Sequence, residues 1–347
     1  MASHAQNLAA LWEMAIGHAT SFGIKAAVLL RIPDILSDSL EKSMSLEEIA
    51  ARLQGTNIQL APLRRLLDYL VVKKVLLKIQ SLEVPGEFKY GSTELCEMLT
   101  ESKFARLLML QDEVVTSGWH HIHEFILHGG EVPFQRAQGM FIWDYMEKNP
   151  EFLGLFSQGM VAISNVTMDS VLQTYHGFDE IRGVLVDVGG GFGADIGRVV
   201  EKYPHIAGVN YELPHVAHAA PAIPGVRHVR GDMMENIPPA DAILLKTILH
   251  DFDDDEVILV LQNCYKALPH GGKLIIVDID MDPAERGPFE SLKFAFDLVL
   301  LALTKGGKER TSVQFTELLT QAQFNNIKTI GDVNCLCSIV EAHKLET

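Results

Sequence analysis

The chain has 347 residues, 48% of them hydrophobic, enough for one large or two ordinary domains with proper cores. Its formal charge of -16 excludes a nucleic-acid partner, because a polyanion is repelled and no basic stripe is visible. The N-terminus lacks the basic and apolar regions of a signal peptide, and the most apolar internal run, residues 294–303, carries Asp297 and is too short to span a bilayer. The expectation is a soluble, cytoplasmic protein acting on a small, neutral or aromatic substrate, with neither membrane nor nucleic acid as partner.

In chain order, residues 5–31 carry apolar positions at helical spacing and stop at Ile32-Pro33, since proline disfavours helix in its predecessor. Residues 45–53 open with Ser45 as an N-cap and close before Gly55. Residues 60–77 form a further amphipathic helix, after which residues 77–80 and 88–90 flank a turn containing Pro85-Gly86, the pattern of a two-stranded wing. Helix, helix and wing resembles a winged helix. Residues 1–100 are nearly balanced in charge, without the basic excess that phosphate contact demands, so a dimerisation and substrate-capping module is expected.

Helical patterning continues to about residue 170. His120, His121 and His123 form a cluster there, but one helix face cannot hold all three, so packing or solvent is expected and not metal. Cys96, Cys264, Cys335 and Cys337 show no C-x-x-C spacing and read as buried, reduced thiols, the last two within an apolar strand of period two.

From residue 183 strands alternate with helices: 183–188, 206–211, 242–246 and 273–279 are apolar strand candidates, each followed by helical periodicity. This alternation predicts a parallel α/β sheet, in which ligands bind at the carboxyl ends of the strands. The expected division is 1–110, 111–170 and 171–347: a helical winged-helix-like domain, long linking helices, and a Rossmann-like domain.

At the first strand end lies VLVDVGGGFGAD, residues 184–195, with Asp187 and a glycine-rich turn through Gly189, Gly190 and Gly191. Glycines let the backbone turn tightly and approach a ligand closely. Alone the turn fits either a dinucleotide or an S-adenosylmethionine (SAM) loop, and Glu212 at the next strand end suits ribose hydroxyls in both. Two further segments favour SAM. Asp232-Met233 offers a carboxylate for an adenine amino group and a polarisable side chain for its face. Lys246, His250 and Asp251 follow the fourth strand, with Asp278 and Glu309 as further acids near the same cleft.

Five blocks in order, DVGGGFG, NYELPHV, GDMM, LLKTILHDF and GGKERT, resemble the plant small-molecule O-methyltransferases, and FGIKAAVLLRIPDIL extends the resemblance into the N-terminal half. The resemblance implies a seven-stranded, mostly parallel sheet behind an N-terminal dimerisation domain. It also implies SAM as cofactor, S-adenosylhomocysteine as product, no metal, and a homodimer. It assigns Asp187, Gly189, Gly190, Gly191, Glu212 and Leu213 to the methionine and ribose, and Asp232, Met233, Lys246 and Phe252 to the adenine end. His250 would be the general base, flanked by Asp278 and Glu309. The acceptor wall would comprise Met109, Leu110, Phe156, Met160, Ile163, Asp251, Leu300 and Thr304. Leu110 and Thr304 stand where caffeate-type members place asparagines, which implies a less polar phenol of flavonoid, stilbene or simple phenylpropanoid type.

The chemistry explains these residue types. Methyl transfer from a sulfonium is an in-line displacement that needs an aligned, deprotonated acceptor. A phenol of pKa ~10 facing a histidine of ~6.5 makes full proton transfer uphill by about 5 kcal/mol, which favours proton removal concerted with transfer. Other readings are an amine acceptor, a SAM-using enzyme that does not transfer methyl, and an NAD-dependent oxidoreductase, which would leave GDMM and LLKTILHDF without a role.

Overall fold

The computed structural model describes residues 3–81, 86–101, 104–110, 112–282, 287–331 and 336–345. The chain divides into two compact units, Met1–Asp112 and Glu113–Thr347. Residues 113–170, expected to form a separate linking segment, thus belong to the second unit.

In the first unit the single helix expected over 5–31 is two, His4–Ala15 and His18–Leu29, broken at Ile16-Gly17. Proline at position 33 does not end a helix but sits in the first turn of Ile32–Ser37, where its missing N–H would have had no intrahelical partner. Ser45 caps Leu46–Arg52 as its sequence predicts: its hydroxyl accepts from Glu48 N–H at 3.1 Å while the Glu48 carboxylate accepts from Ser45 N–H at 2.7 Å. The helix Leu60–Val72 ends five residues short of the expectation, because Lys74 takes a positive φ and Leu76 begins a strand.

Among the described residues the wing has three strands, not two: β1 (Ser43–Ser45), β2 (Leu76–Gln80) and β3 (Phe88–Ser92), antiparallel in the order β1-β3-β2. A three-residue strand of Ser-Met-Ser carries no periodicity to detect. Pro85 of the predicted turn lies outside the described residues. The core gathers Ile32, Leu36, Ile49, Leu67, Leu70, Leu76 and Tyr90, with buried Cys96 among them.

The second unit is built on β4 (Val184–Val188), β5 (Ala207–Glu212), β6 (Val226–Arg230), β7 (Ala242–Lys246), β8 (Lys273–Ile279), β9 (Asn325–Ile330) and β10 (Cys337–His343). Among the described residues they form one sheet in the order β6-β5-β4-β7-β8-β10-β9, parallel from β6 to β8, with β10 antiparallel to both neighbours. Strand order reverses between β4 and β7, so a crevice opens past their carboxyl ends.

Alternate residues serve the two faces. Val186, Val188, Ile243 and Leu245 pack with helices Asp254–Ala267 and Ser312–Gln321. Leu185, Leu244, Ile275 and Val277 pack with Pro150–Thr174 and Ala194–Lys202. Met168, Val171 and Leu172 enter that second core, which ties the long helix to the sheet.

Cys264 and Cys337 are buried and form no disulfide among the described residues, and Cys335 lies outside them. His120 and His121 occupy a 3-10 turn, while His123 lies on the following helix, Ile122–His128. Among the described residues no helix is long and apolar enough to cross a membrane.

Candidate active site

The glycine turn follows β4. Gly189, Gly191 and Gly193 have φ of +71, +56 and +80°, a region that costs a side chain but not glycine. A Cβ at Gly190 would stand 2.4 Å from both Asp187 Oδ2 and Asn210 Oδ1, whereas one at Gly191 would meet nothing within 4 Å. The turn therefore rests on Asp187 and Asn210 and presents Gly191 to open space.

The end of β5 holds the turn in place. Gly191 N–H donates to Glu212 Oε1 at 3.2 Å, and Leu213 N–H donates to Glu212 Oε2 at 2.6 Å. Burial pushes the Glu212 carboxyl up to about 7 against those two bonds. Asn210, which the sequence reading passed over, donates from Nδ2 to Gly191 O at 2.9 Å and lies 3.0 Å from His228 Nδ1. Asn210 is fully buried, a fact that the sequence does not reveal.

Two residues assigned to the cofactor have buried side chains. The Asp187 side chain is buried beneath the turn, where burial and neighbouring Asp195 hold its carboxyl well above the usual range. The Lys246 ammonium is also buried, 3.1 Å from Ser164 Oγ and 3.5 Å from Asp195 Oδ2. Burial opposes its charge, but Asp195, Cys337 and Asp187 together raise its pKa. Both side chains brace the start of helix Ala194–Lys202, because β4 and β7 are central strands whose last residues are still covered.

Past β6, Asp232 Oδ1 accepts from Met234 N–H at 2.8 Å, and its other oxygen has no hydrogen bond among the described residues. Asn263 donates to the carbonyls of Met233 and Met234 at 2.9 and 3.1 Å, which fixes this segment. Met233 and Phe252 are both partly buried against the same core, along with Ile248.

His250 sits in the 3-10 turn Leu249–Asp251, entered through Thr247 at φ +50°. Its Nδ1 lies 3.0 Å from Glu309 Oε1 and 3.3 Å from Asp278 Oδ1, and Nε2 lies 3.9 Å from Asp251 Oδ1. The imidazole is 13% exposed, while Asp278 and Glu309 side chains are 1% and 0% exposed. Burial opposes its charge, yet Asp278, Asp251 and Glu309 together raise its pKa to about 10. Burial lifts the acids in turn, Asp251 to about 6 and Glu309 to about 7, with Asp278 also raised. An ordinary histidine basicity, assumed from sequence, is therefore corrected upward. The donor atoms of His250, Asp278 and Glu309 also lie within 4.8 Å of one another, a spacing that a cation could bridge.

Phe156, Met160 and Ile163 recur at four- and three-residue spacing on Pro150–Thr174, which puts them on one face, and all three are half-buried. Phe156 belongs to an apolar cluster with Phe192 of the glycine turn, Leu213, Val299 and Leu303. Leu300 and Thr304 are buried, and the Thr304 hydroxyl donates back to Leu300 O at 2.9 Å, so its one proton is already used. Met109 and Leu110 lie in the first unit, at the end of helix Ala105–Met109.

A parallel sheet with its reversal at this glycine turn is the fold of SAM-dependent methyltransferases. Human N-acetylserotonin methyltransferase, solved in complex with SAM, shares it with a TM-score of 0.86 at 22% identity, over 99% of both chains. The family is given by the sequence comparisons. An O-methyltransferase domain matches residues 119–325 and an O-methyltransferase dimerisation domain matches 12–102. Desmethylxanthohumol 6'-O-methyltransferase of Humulus lupulus is 35% identical over 96% of this chain and 97% of that protein. Inositol 4-methyltransferase of Mesembryanthemum crystallinum is 38% identical over 88% and 86%. The chain belongs to the plant-type, SAM-dependent O-methyltransferase family.

Proposed function

We propose that the enzyme methylates a phenolic hydroxyl of a small aromatic acceptor, with His250 as general base and without a metal. The observation that carries this reading is the placement of two buried carboxylates on His250 Nδ1, which leaves Nε2 as the nitrogen available to an acceptor. When bound, SAM supplies a methyl carbon on a positively charged sulfur, an electrophile that needs no Lewis acid.

The residues fit that cofactor. Gly191 faces open space, Glu212 borders it, and Asp232, next to Met233 in the chain, keeps one oxygen without a hydrogen bond among the described residues. Gly189, Gly190, Gly191 and Leu213 would form the methionine and ribose side, and Asp232, Met233 and Phe252 the adenine side. Asp187 and Lys246 would act through the turn.

His250 Nε2 receives the phenolic proton, while Glu309 and Asp278 hold Nδ1–H and stabilise the imidazolium. With the imidazole raised to about 10, the proton lies between groups of similar basicity, which removes most of the ~5 kcal/mol gap of an unperturbed pair. Alignment of acceptor and cofactor contributes several kcal/mol more.

The same basicity fixes the pH dependence. Only unprotonated His250 accepts a proton, and that fraction grows roughly tenfold per pH unit below its pKa. kcat/KM is expected to climb from pH 7 to pH 9 instead of levelling above 6.5, and E309Q should move the rise to lower pH. A flat profile over that range would remove His250 as the titrating base.

The apolar side chains of Phe156, Met160 and Ile163 on one face of Pro150–Thr174 support an acceptor of low polarity, of phenylpropanoid, flavonoid or stilbene type. A screen of phenols, aromatic amines and polyols with methyl-labelled SAM tests it: phenols should gain the label, and labelling of inositol alone would overturn the aromatic acceptor. Turnover should survive EDTA, and an absolute need for added magnesium would contradict the metal-free scheme.

Leu11, Trp12 and Met14 on the first helix, and Ile16 just after it, are more than half exposed, within or beside the matched dimerisation domain. A homodimer would cover them. Light scattering at micromolar concentration should give twice the 38.4 kDa chain mass, and a monomer would count against it.

A further inference from the structure

Arg310 is the largest fully buried side chain of the molecule's described residues, at 0% exposure. A guanidinium without water must place its donors on protein acceptors. Arg310 uses nearly all of them on one short stretch. Nη1 donates to Leu249 O at 2.7 Å, Nη2 to Phe252 O at 2.7 Å and to Asp254 Oδ1 at 2.8 Å, and Nε to the same Asp254 oxygen at 3.0 Å. The two carbonyls bracket His250.

The rest of the segment 306–310 closes on the same turn. Lys308 N–H donates to His250 O at 2.8 Å, and Glu309 meets the imidazole at Nδ1. At Gly307 a Cβ would stand 2.6 Å from His250 O and 3.0 Å from Asp251 O, so any side chain would push the turn away. Arg310 is itself tied to the extension of β8, since Met281 N–H donates to Arg310 O at 3.0 Å. That strand carries Asp278, the second acid on His250. Backbone and ring of His250 are thus referenced to one pentapeptide.

We infer that Arg310 is a positioning residue for His250: it clamps the carbonyls on either side so that the imidazole stays registered between its acids and the acceptor. The inference rests on the reading of His250 as the base. A lysine keeps the charge and can reach Asp254, but its single ammonium cannot span two carbonyls in the plane of a guanidinium.

The test is R310K, H250Q and the double variant, each with SAM affinity by calorimetry, thermal midpoint, and kcat and KM for an acceptor found in the screen. R310K is expected to lose kcat on the order of 10- to 100-fold, the scale of a misplacement near 1 Å. SAM affinity and acceptor KM should stay within a few-fold, and R310K should add nothing to the loss in H250Q. Should R310K fail to fold, D254A removes the carboxylate that orients the guanidinium and should show the same split with a smaller loss of kcat. Wild-type kcat in the folded variant overturns the inference, as does an equal further loss on the H250Q background. Full turnover in H250Q alone instead brings down the base reading.

Discussion

H250Q is expected to lower kcat by roughly 10²- to 10⁴-fold, the usual contribution of a general base, while SAM affinity stays within a few-fold. Glutamine reaches as far as the imidazole and its amide can still donate to Glu309, so the buried carboxylates keep a partner and the fold keeps its shape. What is lost is the group able to take a proton. Glutamine does not titrate, so the alkaline climb of kcat/KM should vanish with it. Stopped-flow turnover with saturating SAM, beside calorimetric binding, separates the two effects. Near-normal turnover in H250Q would leave the acid-flanked imidazole as a structural element only.

Asp232→Ala should act on the other half of the reaction, with SAM affinity falling about 10- to 100-fold and kcat at saturating SAM largely retained. The estimate corresponds to the ~1.5–3 kcal/mol of a hydrogen bond to a charged acceptor. Because one oxygen of Asp232 already closes the turn onto Met234 N–H, alanine removes a turn contact together with any ligand contact. Asp232→Asn distinguishes them. An asparagine oxygen can still accept from Met234, but its amide then turns a donor toward an adenine amino group, itself a donor. If D232N binds SAM as poorly as D232A, the free oxygen holds the adenosine; if it binds normally, the turn is all that Asp232 supplies.

The surface charge bears on how such measurements are run. At -16 the chain repels anionic ligands, and this favours neutral acceptors at low salt. Acceptor KM values compared across ionic strength should therefore change most for acids such as free carboxylated phenylpropanoids.

Much of this protein was legible in its residues because local chemistry determined it. The capping box at Ser45, the limits of β7 and β8, and the glycine turn at 189–193 follow from hydrogen bonding and periodicity within a few residues of each position. Edge strands were harder. β6 is an edge strand that carries two exposed arginines and a histidine in Val-Arg-His-Val-Arg, and β1 is three residues long. The break at Ile16-Gly17 also escaped, because apolar spacing runs through it uninterrupted.

At the site, residue types and strand-end positions were sufficient to gather His250, Asp278 and Glu309, and the structure brings those three together. The sequence could not show which side of a strand end is covered, and so gave no sign that the Asp187 and Lys246 side chains are buried, with Lys246 3.5 Å from Asp195. It was silent on Asn210 and Arg310, whose partners are backbone carbonyls 19, 58 and 61 residues away and leave no pattern along the chain. Composition and short-range order thus determined the fold class and the glycine turn, and the resemblance of five ordered blocks implied the family chemistry. Tertiary structure alone decided the basicity of His250, because that depends on three carboxylates converging on one buried ring, and electrostatic strength is set by distance and burial in space.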